Sequence, residues 1–326
     1  MRVGVIGPQH PDSFADNICD SLDQMGIDNV RLGPAQVRPR NAKFAAAFDV
    51  ARRSVAFDER LQARVARRAL HYECTVVVTV EGGTSPAVIT ELRRNGVPAA
   101  LWFPDHITNL GRLQMLMAPY AALFFKEPSL VERLTATLGL PVSYLPEACN
   151  PHWHRSDESQ GVDPVVVVAG GMYPSRLLLL ERLIAADVPL AIYGGIFPRW
   201  VSDHPAMQHH TGRYIARQQK ADVFRRAAAV LNNLHPGEVD GVNCRLFEAT
   251  GSGAVVLAEH RSEVDNLFEA DELLTWSDFD ELVHLARTAV AASGTLAEVG
   301  DKAALRAHAD HSYANRLTVI LEHLHS

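Results

Sequence analysis

Short runs of aliphatic and β-branched residues recur along this chain, each followed by a helical stretch, and the series occurs twice. Val3–Ile6, Val76–Val80, Pro98–Phe103, Ala121–Phe125 and Val142–Leu145 read as strands, with helices over Asp12–Met25 and about Ser85–Asn95. The runs are apolar throughout instead of alternating with polar residues. That is the pattern of strands buried on both faces, as in a parallel sheet covered by helices on either side. The stretch Ala35–His71 departs from the pattern: it is rich in Ala and Arg, lacks a strand, and reads as two helices with no role assigned.

From Pro146 to Pro164 the chain turns polar, with three prolines and a Ser/Asp/Gly cluster, as a connection between domains does. A second series then begins. Its strands are Val165–Val168, Leu190–Tyr193, Ala229–Asn232 and Ala254–Ala258, with helices near Ser175–Ala186, Ile215–Arg226 and Asn243–Gly251. After Asp278 the pattern is helical to the end. A chain of 326 residues accommodates two cores. The expected fold is therefore α/β, with two Rossmann-like doubly wound parallel-sheet domains facing one cleft. The domains span about 1–150 and 151–326, and the last helix is free to pack back on the first. Open sheets of this kind bind ligands at the carboxyl ends of their strands.

Charge narrows the partners. A formal net charge of -7 opposes a nucleic-acid backbone, and Arg64, Arg67, Arg68, Arg225 and Arg226 read as solvated helix faces. Cys19, Cys74, Cys149 and Cys244 are scattered without a CxxC pair, as expected of reduced thiols in a cytoplasmic protein. The N-terminus enters a strand directly, without a signal-peptide pattern, and no apolar run is long enough to be a transmembrane segment. Nothing in the sequence indicates an oligomeric state.

The most informative segment runs from Asp240 to Leu257. Asn232 and Asn233 end a strand, a loop with Pro236 and Gly237 follows, and Asn243 can cap the next helix. The unpaired N–H groups and positive dipole end of that helix suit a phosphate. Glu248, one to two turns inside, can accept from ribose hydroxyls. The plain alternative is a well-capped helix between two strands. A second turn, Gly170-Gly171-Met-Tyr173-Pro174-Ser-Arg176, lets backbone approach a ligand and offers a guanidinium fork to a diphosphate; otherwise it is an ordinary βα turn with a surface arginine. Lys220 and Arg213 read as helix-surface cations.

These residues resemble those of glycosyltransferases of the GT-B fold. Such enzymes carry two acids eight apart, as Asp240 and Glu248 are (248 − 240), the first near the sugar and the second near the ribose. The usual first acid is Glu, so Asp240 departs from the pattern. The chain is similar in particular to the CgeB-like (spore maturation protein-like) glycosyltransferases. The likeness lies in Gly241-x-Asn243-x-Arg245-x-Phe247-Glu248-Ala249, in Tyr173-Pro174-x-Arg176 after the glycine pair, in Tyr193-Gly194 at a strand end, and in Tyr313-Ala-Asn-Arg316. It spans roughly Val165–Leu324. The first half matches only through Trp102-Phe-Pro-Asp105 and Tyr144-Leu-Pro146-Glu-Ala.

The resemblance implies transfer of a sugar from a nucleoside diphosphate sugar to a hydroxyl or amine of a small-molecule, glycan or natural-product acceptor. It implies a retaining outcome, no cofactor, and no metal where cations and helix dipoles supply the charge. Gly170, Gly171, Arg176, Tyr193, Gly194, Asn243, Arg245 and Glu248 would hold the donor, and Asp240 would approach the sugar. On the acceptor side three strand-end loops compete: His10 after the first strand, Asp105-His106, and Glu81-Gly-Gly-Thr84. An imidazole or carboxylate there can take a proton from a hydroxyl. His152-x-His154 and His209-His210 lack partners at metal-ligand spacing, and Asp278-Phe-Asp280 opens a helix where acids favour the dipole. No GxxxxGK[ST] loop, GxGxxG turn or GxSxG elbow is present. Two rivals remain: a nucleotide-sugar epimerase or hydrolase of the same fold, and a non-catalytic nucleotide-binding scaffold.

Overall fold

The computed structural model describes residues 1–325 apart from 38, 40, 113, 156–161, 196–200, 202 and 293. It divides into two compact units, Met1–Pro146 with Tyr313–Ser326, and Glu147–Ser312. The middle of the expected connector, 156–161, lies outside the described residues.

The first unit carries β1 (Arg2–Ile6), β2 (Asp28–Gly33), β3 (Val76–Thr79), β4 (Ala99–Phe103), β5 (Ala122–Phe125) and β6 (Val142–Tyr144). They form one sheet in the order β2-β1-β3-β4-β5-β6, all pairs parallel. The expected strands are present to within a residue or two. β2 was not foreseen. It lies at the sheet edge, and its Asp28, Asn29 and Arg31 have no need of burial on both faces, so it lacks the continuous apolar signal of its neighbours. The Ala/Arg-rich stretch does form two helices, α2 (Ala42–Ala51) and α3 (Val55–His71).

Alternation along the strands assigns the two faces. Leu101, Phe103, Leu123 and Phe125 pack with α3, α4 (Pro86–Arg94) and α5 (Pro128–Leu138). Trp102 and Phe124 turn to the other face, toward α1 (Phe14–Gln24) and the chain's last helix, Tyr313–His325. Phe14, Trp102 and Tyr313 meet edge to face, with centroids 4.5 to 5.6 Å apart, and Trp102 Nε1 donates to Leu145 O. Helix ends follow local chemistry. Ser13 Oγ accepts from Asp16 N, Ser85 Oγ accepts from Ala87 N with Pro86 behind it, and Gly139 closes α5 in the left-handed region.

The second unit carries β7 (Asp163–Ala169), β8 (Leu190–Tyr193), β9 (Ala227–Asn232), β10 (Val256–Glu259) and β11 (Leu274–Trp276). Their order is β11-β10-β9-β7-β8, again all parallel. β11 is a three-residue edge strand, too short to show a period in the sequence. One face packs on α7 (Arg217–Arg226), α8 (Cys244–Gly251), α9 (Ser262–Leu267) and α11 (Ala297–Asp310); the other packs on α6 (Pro174–Ala185) and α10 (Phe279–Ala291). In this order the chain leaves β7 to one side for β8 and to the other for β9. Ligands of such sheets bind where the direction reverses, at the carboxyl ends of β7 and β9. The corresponding point of the first unit lies between β1 and β3. Among the described residues no helix is long and apolar enough to cross a membrane.

Tyr313 is almost fully buried in the aromatic trio of the first unit. Tyr313→Ala is expected to cost about 3–5 kcal/mol, the scale for deleting a buried aromatic. Urea unfolding of the full chain reads this, and a loss below about 1 kcal/mol would mean that the last helix contributes little to that core.

Candidate functional site

β7 and β9 end side by side, and the residues just beyond them form a polar cluster. β7 runs into Gly170, whose φ of +108° disfavours any side chain. Its N–H donates to Tyr193 O at the end of β8, and its carbonyl sits so close to Gly194 that a Cβ there would lie 2.7 Å away. Both glycines are thus required by close approach.

Pro174 starts α6, which places Arg176 in its first turn, pointing back along the sheet end. Arg176 is 3% exposed. Its Nε donates to Asn233 Oδ1 (2.9 Å), its Nη1 to Gly171 O (2.8 Å) and its Nη2 to Asn233 O (3.4 Å). The guanidinium also lies 4.6 Å from the centre of the Tyr173 ring. Asn233 Nδ2 donates to Tyr173 Oη, which in turn donates to Leu234 O. Three of the five guanidinium N–H groups are used, leaving two.

Arg245, in the first turn of α8, converges on the same point. A Cβ at Gly170 would overlap Arg245 Nη2 and lie 3.5 Å from Arg176 Nη1. Burial, and then the like charge of Arg245, push the Arg176 pKa down to about 10. Among the described residues neither arginine forms an ion pair, and the buried Arg245 Nε has no hydrogen-bond partner. Two convergent cations with no carboxylate in ion-pair contact, and only Glu238 acting on Arg176 from farther off, make a site for an anion at a glycine turn.

Asn243 caps α8 as expected: its Oδ1 accepts from Arg245 N (3.1 Å), and its Nδ2 reaches Asn233 O (3.5 Å). The preceding loop is held by two carboxylates. Glu238 Oε2 accepts from His235 N and Glu259 Oε2 from Leu234 N, both at 2.8 Å. Asp240 stands half-buried on that loop, before the helix. Glu248 lies farther along α8 and is largely buried, with its Oε1 2.7 Å from Lys220 Nζ on α7. Lys220 therefore is not a surface cation; it is the counter-ion of the acid expected to meet the ribose.

The structure thus brings Gly170, Gly171, Arg176, Tyr193, Gly194, Asn243 and Arg245 around one sheet end, with Glu248 deeper in the same helix. Asn233, Tyr173 and Glu259 also belong to this cluster; the sequence marks Tyr173 and Asn233 within motifs without giving them a role in the site, and does not mark Glu259. The twin asparagines ending β9 were the available signal. His10 and Asp105 lie in the first unit, after β1 and β4, with β3 between those strands. His10 is exposed. Asp105 opens the 3-10 helix Ile107–Arg112, accepting from His106 N (2.9 Å) and Asn109 Nδ2 (2.5 Å). Asp278 caps α10 through Asp280 N and Glu281 N, as the dipole argument anticipates. His154 Nδ1 accepts from Asn150 N within its own turn.

A family model described as glycosyl transferase-like matches residues 176–322, beginning at the arginine of this cluster. Among solved structures, sucrose-phosphate synthase from Thermosynechococcus elongatus is similar over 100% of this chain and 99% of its own, at 13% identity and a TM-score of 0.69. HepE from Anabaena, in complex with UDP and glucose, is similar over 100% and 99% at 14% identity and a TM-score of 0.64. AviGT4, a glycosyltransferase involved in avilamycin A biosynthesis, covers 100% and 97% at 14% identity and a TM-score of 0.64. No curated protein matches the sequence. The protein has the two-sheet architecture of these GT-B structures, and the similarity to the glycosyl transferase-like family model extends over residues 176–322.

Breaking a buried ion pair leaves an uncompensated charge. Lys220→Met is expected to destabilise the second unit by about 3–5 kcal/mol, and Lys220→Met with Glu248→Met to recover most of that. Denaturant unfolding of the single and double variants tests it; equal losses in both would show that the pair has no such coupling.

Proposed function

We propose that the protein transfers a glycosyl group from a nucleoside diphosphate sugar to a hydroxyl or amine acceptor. The observation that carries this reading is the convergence of Arg176 and Arg245 on Gly170, where the like charges and the remaining N–H groups call for a polyanion. A pyrophosphate supplies it. As the glycosidic bond breaks, charge grows on the leaving diphosphate, and donors fixed in advance stabilise that charge without having to reorganise. Asn243 and the first amides of α8 add the positive end of a helix to the two guanidinium groups. With charge supplied in this way the transfer needs no divalent ion.

Glu248, held by Lys220 through Oε1, keeps Oε2 for the ribose hydroxyls, and Asp240 approaches the sugar from the preceding loop. The pair of acids eight apart supports a retaining outcome, and the Gly241–Ala249 pattern supports a place near the CgeB-like enzymes within the GT-B superfamily. HepE is described in complex with UDP and UDP-glucose, which favours a uridine donor here. The first unit serves the acceptor, with His10 or Asp105 as the group that takes its proton.

Arg245→Gln and Glu248→Ala should each weaken UDP binding by about 1–3 kcal/mol, the scale of a charged hydrogen bond. Calorimetric titration reads this, and unchanged affinity in both removes the donor site. Release of free UDP from UDP-glucose should depend on an added acceptor and be unaffected by a chelator. Rapid release without acceptor would favour a hydrolase, and binding without any turnover a scaffold.

A further inference from the structure

Helix α3 and the turn that joins it to α2, left without a role by the sequence, line a polar cavity in the first unit. It has a volume of about 270 Å³ and lies between the start of α3 and the loop after β3, close to the lower bound of small-molecule sites. The loop belongs to the strand pair β1/β3, where the order of this sheet reverses, the point at which open sheets take ligands.

Long-range polar bonds hold the walls. Glu81 Oε2 accepts from Ala35 N (2.6 Å) and Gln36 N (3.4 Å), and Gln36 Nε2 donates to Gly83 O (3.1 Å). Gln62 is 1% exposed and fully engaged: its Oε1 accepts from Ser85 N, and its Nε2 donates to Asp58 Oδ2 and Gly83 O. Arg52 Nε meets Asp58 Oδ1 at 2.5 Å. A surface cavity built on a buried, fully bonded glutamine is preorganised, as binding sites need to be.

The lining states the chemistry. Gln36, Gln114, Thr84 and Ser85 line it; the Thr84 and Ser85 hydroxyls are held by Thr79 Oγ1 and Ala87 N, and the Gln36 and Gln114 amides both donate and accept, as sugar hydroxyls do. Of its charged groups, Arg52 and Arg53 are matched by Asp58 and Glu59, so the lining has no net charge to favour a phosphate or carboxylate. We propose that this cavity binds a neutral, hydroxyl-rich acceptor group of about one sugar ring, making α3 and the turn before it the acceptor-recognition element. The proposal rests on the transferase reading above for the word acceptor, and on the cavity alone for the ligand class.

The test uses the full chain saturated with UDP and titrates methyl glycosides of glucose, galactose, mannose and N-acetylglucosamine, with glucuronate as the charged counterpart, by saturation-transfer NMR. Val55 lines the cavity at the exposed start of α3, so Val55→Trp fills the space without entering the core. The expected result is binding of at least one neutral glycoside, weakened about tenfold by Val55→Trp and about threefold by Gln114→Ala. The urea unfolding midpoint of each variant serves as the control for folding. Binding of no glycoside, glycoside affinity untouched by Val55→Trp, or glucuronate more than about tenfold tighter would each overturn the proposal. Failure of wild-type protein to bind any nucleotide would overturn the donor reading instead, and leaves the glycoside titration interpretable.

Discussion

Two guanidinium groups brought together over a glycine repel each other, and much of the second unit is explained by what holds them there. Arg176 is buried and repelled by Arg245, and it remains in place because Asn233, Gly171 and the Tyr173 ring engage three sides of it. Asn233 is fixed by the end of β9, and Tyr173 by its hydrogen bond to the loop beyond. Gly170 and Gly194 allow the ends of β7 and β8 to close up, since a Cβ at either would strike a guanidinium or a carbonyl. Buried charge without a partner is unfavourable by several kcal/mol in general, so an arrangement of this kind makes sense as one completed by an anion.

α8 shows how a single short helix serves both ends of such a site. Asn243 closes its first turn, Arg245 projects toward Gly170, and Glu248 is held by Lys220 from α7. The remaining face of the helix is apolar, with Leu246, Phe247 and Ala249 in the core against β9 and β10. Polar function and packing are therefore separated around one helix. The charged side chains are oriented by a rigid support.

The first unit builds its polar cavity differently. Here the support is a set of side chain to backbone bonds across 21 to 47 residues of sequence, centred on Gln62 and Glu81. Apolar anchoring comes from the other side of α3, where Val65, Ala66 and Ala69 join the core. The last helix of the chain completes the opposite face through Tyr313, so residues from both ends of the sequence contribute to one sheet's packing.

Continuous apolar strands, glycine turns and capping residues act over a few positions, and these were legible directly: nine of the eleven strands among the described residues, the two helices of Ala35–His71, and the caps at Asn243 and Asp278. The strands missed, β2 and β11, are edge strands, where partial exposure and short length erase the pattern. The residues that gather beyond β7 and β9 were also legible, most of them within two compact motifs at Gly170–Arg176 and Asp240–Glu248. What only the tertiary structure decided were the pairings between distant residues: Arg176 with Asn233, Lys220 with Glu248, Gln62 with Ser85. A lysine on a polar helix looks solvated until the sheet brings a carboxylate 2.7 Å from it. Local sequence sets which chemistry a residue offers; the order of the strands sets which residue it meets.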